Sequence, residues 1–309
     1  MKKSNNESHR HHYIPQFIIR NFAKNELGFV RYYDKKKDEY SNKPTEDIFK
    51  RENYYRDEKN NPKNPNEIEQ DLAKFECEIA KIIKERFLDD DSIELTYKEN
   101  DSLLLFLAIM QLRSQNVLKY FGKNASEEDK KFYQDIQPDG DLETMWKRNL
   151  GAAAKCRSLE QVLDNPNIDD IFKLFIGRDS FGFAGAYLIV AERRGKEDFF
   201  LSDAYPLVQT CGSEKIKNIP LYAYFPISPR RIIIVCYKGA RLASKQVRYF
   251  EKQFLAEPFR TSDRKGYTIK VRKLQETNVR FINDSIYKNV SDGVAMKDES
   301  RFFATERAY

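Results

Sequence analysis

The clearest periodic segment lies in the first half of the chain. Ile68, Leu72, Phe75, Ile79, Ile82 and Ile83 recur mostly three or four residues apart, which predicts a helix over 67–87 opened by Asn66. A second helix is predicted over 98–120. Its stretch from Leu103 to Met110 is apolar nearly all round, which places it in the middle of the fold. Ser126 starts another helix by N-cap chemistry, residues 141–164 make a fourth, and 168–176 a short fifth. After Gly177 the period shortens. Residues 184–190, 199–201, 207–210, 221–227 and 231–237 read as strands, with Arg194 to Glu197 as a hairpin turn. Helices follow at 240–255 and 276–287, on either side of a strand at 267–271.

Ahead of these elements, Pro15 biases Ile14 toward an extended backbone. Residues 16–23 suit a short helix with Phe17, Ile18 and Phe22 inward, followed by a strand at 28–33 and a turn at 34–39. The Asn-, Lys- and Pro-rich stretch 41–66 reads as a long surface connection. Together these predict an α+β fold: a helical middle region packed with a mostly antiparallel β-sheet, and an N-terminal motif folding back onto that sheet. The expected divisions are a disordered tail (1–8), a histidine-motif module (9–66), a helical region (67–177) and a β-sheet region with C-terminal helices (178–309), closing into one compact unit.

Composition changes this picture in two places. Hydrophobic residues at 40% supply ample core, so the 33% of charged residues describes a surface and not disorder. The net charge of +6 is unevenly spread: Ser228 to Lys273 holds 13 Lys or Arg against Glu251, Glu257 and Asp263. Tyr237, Tyr249, Phe250, Phe254, Phe259 and Tyr267 are interleaved with them. Basic groups contact phosphates and exposed aromatics stack on bases, so the segment suits nucleic acid; a solvated helix face with its aromatics turned inward is the competing reading. Cys77, Cys156, Cys211 and Cys236 are widely spaced, which points to reduced, mostly buried thiols. The N-terminus lacks an apolar leader, and the longest apolar run falls short of the roughly 20 residues that span a bilayer, so a cytoplasmic protein without membrane contact is expected.

All three histidines, His9, His11 and His12, fall within four positions. On a strand His9 and His11 point one way and His12 the other, so adjacent His11 and His12 cannot easily chelate one metal together. Imidazole suits acid–base work near neutrality; packing against Tyr13 or capping the next helix is the structural alternative. Asp203, after Ser202 and ahead of Pro206, is either a carboxylate partner for His11 or His12 or an Asx-turn residue. Arg20, Arg113 and Arg230 each follow an element expected to be buried. Each therefore needs an anionic partner, either Glu69 and Glu76 or a substrate phosphate. No Walker A loop, GxGxxG, HExxH or GxSxG motif is present.

The run His11-His12-Tyr13-Ile14-Pro15-Gln16-Phe17 with Arg20-Asn21-Phe22 resembles the opening signature of a bacterial family, the domain of unknown function 4238. Ile68-Glu69 with Phe75-Glu76 looks like that family's helix with two spaced glutamates, and Phe106 to Arg113 like its apolar helix ending in arginine. Phe200-Leu201-Ser202-Asp203 resembles its strand-end Ser-Asp-Asn-Pro, except that Ala204-Tyr205 stand before Pro206 here; Phe225 to Arg230 resembles its Phe-Pro-Leu-Ser-Pro-Arg. The resemblance implies a shared fold over roughly 9–290 and candidate positions, without a reaction.

The first functional expectation is a nucleic-acid-cleaving effector, in the setting of bacterial conflict with phage or mobile elements. His11, His12 and Asp203 would be its catalytic groups, or the ligands of a divalent metal if one takes part. Gln16, Arg20, Arg113, Arg230, Arg231, Lys245 and Arg248 would bind substrate. The alternatives are a non-catalytic nucleic-acid-binding or partner-regulating protein, with a protein partner or a second copy of itself, and a nucleotide sensor. The nuclease reading requires the N-terminal motif to bring His11 or His12 to Asp203.

Overall fold

The computed structural model describes residues 10–24, 26–115, 127, 131, 141–176, 183, 186–211, 219–237 and 260–299. The chain opens with β1 (Arg10–His12) and α1 (Gln16–Arg20), then β2 (Phe29–Asp34), β3 (Glu39–Pro44) and β4 (Lys50–Glu52). Two long helices follow, α2 (Glu67–Ile82) and α3 (Tyr97–Leu112), with β5 (Ser92–Thr96) between them. Next come α4 (Leu142–Ala154), α5 (Leu159–Leu163) and α6 (Asp170–Ile176). The strands β6 (Tyr187–Arg193), β7 (Leu201–Ser202), β8 (Leu207–Cys211), β9 (Ile219–Pro226) and β10 (Arg231–Cys236) form the next block. The last elements are β11 (Arg260–Ser262), β12 (Gly266–Lys270), β13 (Arg272–Leu274), α7 (Glu276–Lys288) and β14 (Gly293–Met296).

This is an α+β fold with mostly antiparallel sheets. A five-stranded sheet runs in the order β13-β6-β10-β9-β8, parallel only where β13 meets β6. A four-stranded sheet, β3-β2-β14-β7, joins strands from both ends of the described chain. Smaller sheets are β11-β12-β5 and the ribbon β1-β4. Helix α3 starts where Thr96 and Glu99 form a reciprocal capping box. From Leu103 to Met110 every residue is buried, as its apolar run predicts. The sheet strands β6 and β10 are buried along nearly their whole length, so the core lies between them and the helices. No helix among the described residues is long and apolar enough to cross a membrane.

Several sequence expectations are corrected. The stretch 41–66 is not one long connection: it carries most of β3, the whole of β4 and the buried pair Tyr54 and Tyr55. Asn66 stands at the start of α2, but its side chain makes no capping bond. Helix α2 gives way at Ile83 to a π-helical turn through Phe87. The expected hairpin around Arg194 does not form. Strand β6 pairs with β10 and β13, whereas β7 pairs with β14 in the other sheet. The chain between them is taken up elsewhere, with Arg194 N–H donating to the Leu274 carbonyl and Phe199 N–H to that of Pro229. The helices expected at 126 and at 240–255, with Lys245 and Arg248, lie outside the described residues or nearly so.

One side chain ties the five-stranded sheet to the end of α2. Arg231, the first residue of β10, is 1% exposed. Its Nε and Nη2 donate to Glu192 at 3.1 and 2.7 Å, Nη1 to the carbonyls of Phe87 (3.1 Å) and Asp90 (2.5 Å), and Nη2 to that of Asp89 (3.0 Å). All five guanidinium donors are therefore used. Arg231, expected from the sequence to bind substrate, has its guanidinium donors engaged inside the protein. Arg231→Ala should cost about 3–5 kcal/mol by leaving Glu192 and three carbonyls short of donors. Urea unfolding at pH 7 measures this, and an unchanged midpoint would refute the role.

Candidate functional site

The N-terminal motif is placed by strand alternation. On β1, Arg10 points out, His11 in, and His12 is half-buried. His11 is 0% exposed. Its Nδ1 accepts the Tyr55 N–H at 2.9 Å, and its ring stacks on Tyr55 with centroids 5.7 Å apart and planes 11° from parallel. An imidazole that must accept at Nδ1 is held neutral, and this one locks β1 to the Tyr54-Tyr55 segment.

His12 faces a different environment. Its Nε2 lies 3.0 Å from Nε2 of Gln16, which can only donate, so the His12 proton belongs on Nδ1. The same Gln16 amide donates to the Thr45 carbonyl at 2.8 Å, while its Oε1 is buried without a partner. Burial, then the charges of Lys50, Arg113 and Arg20, push the His12 pKa down to about 4, against the opposing Glu46 carbonyl. His12 is thus neutral at physiological pH and ringed by cations.

Behind the motif sits Arg113, the cap residue of α3, buried to 2% exposure. It donates to the Tyr55 hydroxyl at 2.7 Å, to the His12 carbonyl at 2.5 Å and to Glu76. Three elements thus converge on one guanidinium. Glu69 and Glu76 are seven residues apart, two turns along the same face of α2. Glu76 is paired to Arg113. Glu69 is half-buried and, among the described residues, accepts no hydrogen bond. Burial pushes its pKa up to about 7; Arg113 opposes this and the Glu76 charge adds to it. Two carboxyls on one face of a helix, one ion-paired to a fixed arginine and the other buried without a hydrogen-bond donor, are an acid–base arrangement.

Two of the other sequence candidates, Asp203 and Arg230, are engaged by different partners. Asp203 is buried and accepts the N–H groups of Ser291 (3.1 Å), Asp292 (3.1 Å) and Gly293 (3.2 Å), which hold the entry to β14. Burial raises its pKa and those three donors oppose the rise. The motif residue within its field is Tyr13, whose hydroxyl pKa is raised by burial first and then by Asp203. Among the described residues no three His, Cys, Asp or Glu side chains converge as a metal site requires, so His11, His12 and Asp203 form no such set. Arg20 is exposed and acts on His12 only through its charge. Arg230 is 58% exposed and donates to Glu192 at 2.7 Å. The sequence reading assigned Glu69 only an ion-pair role with the arginines. Its spacing from Glu76 was the available signal; its burial comes from a fold contact no local pattern encodes.

The His12 shift has a definite sign. A folded pKa near 4, below the ordinary 6.5, favours the neutral ring in the native state, so stability is lost as pH falls from 6.5 toward 4. His12→Gln, which cannot take up that proton, should lose less stability over this window than the wild type. Urea midpoints at pH 7 and 4.5 test this; parallel losses in both proteins would refute it.

No curated protein and no solved structure matches the chain. A family model does, over residues 10–300, with the described β1, the two-glutamate helix and the Arg113 cap inside it. The chain belongs to that family, the protein of unknown function DUF4238.

Proposed function

We propose that the chain hydrolyses phosphodiester bonds in nucleic acid, through the two glutamates of α2 and not through a histidine–Asp203 pair. The observation that carries this reading is Glu69, a half-buried carboxyl without a hydrogen bond among the described residues and with a pKa near 7. Glu76, which accepts from Arg113, takes the proton from an attacking water. Glu69 in its acid form gives a proton to the leaving oxygen as the P–O bond breaks. His12 and Gln16 brace the motif against Arg113, and the cations around His12, Arg20 and Lys50, attract the phosphate backbone. The basic segment from Ser228 to Lys273 supports nucleic acid as the substrate class.

A second reading, non-catalytic binding of nucleic acid, is favoured by the internal engagement of His11, Asp203 and Arg231. The two readings separate in one assay. Purified protein is incubated with single- and double-stranded RNA and DNA, with and without magnesium or manganese. The hydrolytic reading expects cleavage that falls at least about 100-fold in Glu69→Gln, the low end of what one acid–base group supplies. Because Glu69 acts as an acid, the rate should also decline as pH rises through about 7. Absence of cleavage on every substrate, or an undiminished rate in Glu69→Gln, would overturn it. Salt-dependent binding without turnover would then establish the second reading.

A further inference from the structure

A pocket of about 570 Å³ lies where segments distant in the sequence meet. Asn21 and Lys24 contribute from beyond α1, Leu88 and Asp89 from beyond the π-helical turn, Ser228 to Arg230 from the turn before β10, and Lys297 from beyond β14. It stands apart from Glu69, which belongs to the first turn of α2, whereas Leu88 and Asp89 follow the far end of that helix.

The walls of this pocket are fixed before any ligand arrives. Asn21 Nδ2 donates to the Ile227 carbonyl at 2.9 Å, pinning the N-terminal segment to the turn. Ser228 Oγ accepts the N–H groups of Arg230 (3.3 Å) and Arg231 (3.1 Å), which shapes the turn itself. Glu192 holds Arg230 from behind while also binding Arg231 and Lys273, so one carboxylate is shared among three cations. Arg193 and Asp198, also in the lining, are paired with each other at 2.5 Å.

Three further cations line the pocket. Lys24 and Lys297 are exposed, and among the described residues neither has an ion-pair partner. Arg230 spends one Nη2 contact on Glu192 and is otherwise 58% exposed. The acidic neighbours are Asp198, committed to Arg193; Asp298, which has a partner of its own; and Asp89 at the rim. A planar guanidinium and two ammonium groups in one pocket lining match a phosphate, which offers several acceptor oxygens and a double negative charge. Leu88 and Pro229 supply an apolar wall beside these donors, suited to the flat face of a base.

We propose that this pocket binds the phosphate of a nucleoside monophosphate, at Lys24, Arg230 and Lys297, independently of the Glu69 site. Calorimetric titration of the full chain with adenosine 5′-monophosphate, inorganic phosphate and adenosine tests it. The monophosphate should bind, inorganic phosphate should bind more weakly, and adenosine should not bind. In the double variant Lys24→Glu, Lys297→Glu the affinity for the monophosphate should fall at least about tenfold, because two attractive charges become repulsive. Both positions are exposed, so the circular dichroism spectrum and unfolding midpoint should be unchanged. Glu69→Gln should bind as the wild type does, which separates failure here from failure of the hydrolytic reading. Absence of monophosphate binding, or binding that the double variant leaves intact, would overturn the proposal. Inorganic phosphate binding as tightly as the monophosphate would overturn the nucleotide assignment.

Discussion

Burying a guanidinium strips it of water, so every donor it carries must find an acceptor inside the protein. Arg231 meets that demand by drawing in the carbonyls of Phe87, Asp89 and Asp90 at the end of the long helix, while Glu192 on the adjacent strand takes the remainder. Burial alone would raise the pKa of Glu192. Hydrogen bonds from Lys273, Arg230 and Arg231 outweigh it and bring the carboxyl down to about 2. The sheet and the helix cannot shift relative to one another without breaking this network. The relative placement of the two candidate sites, at opposite ends of α2, rests on it.

Arg113 applies the same constraint within the N-terminal half of the chain. It joins the backbone of β1, the hydroxyl of Tyr55 and the carboxylate of Glu76, so the histidine motif, the loop after β4 and α2 share one electrostatic centre. Trp146 of α4 adds a second contact to the same helix end, with its Nε1 donating to the Leu112 carbonyl at 2.9 Å. What distinguishes Glu69 is that it lies within this centre without being consumed by it. The arrangement supplies burial without a hydrogen-bond donor, the condition that keeps a carboxyl protonated near neutrality.

Much of this was legible in the residues. The spacing of Ile68, Leu72, Phe75 and Ile79 marks α2 because a helix that packs on one side repeats every three to four residues. The apolar run of α3 and the strands β9 and β10 were equally plain. The four-residue β14 was not, since Gly293 to Met296 is too short to show a period. The hairpin expected at Arg194 failed because turn-forming residues say nothing about which sheet receives the next strand. His11 and His12 were correctly separated by side-chain direction. The partner of His12, the Gln16 amide, lies only four residues on, whereas that of His11, the Tyr55 N–H, follows from where the loop after β4 settles, a tertiary outcome without a local signature.

The four-stranded sheet places β2, residues 29–34, directly beside β14, residues 293–296. During synthesis the earlier strand must therefore wait while some 260 further residues are added, roughly a quarter of a minute to a minute at ordinary translation rates. Through that interval Tyr32, buried in the finished molecule, lacks the neighbour that covers one edge of its strand. A nascent chain of this kind presents a half-built sheet to the cell, and its exposure to misassembly and to chaperones is set by the order of its strands.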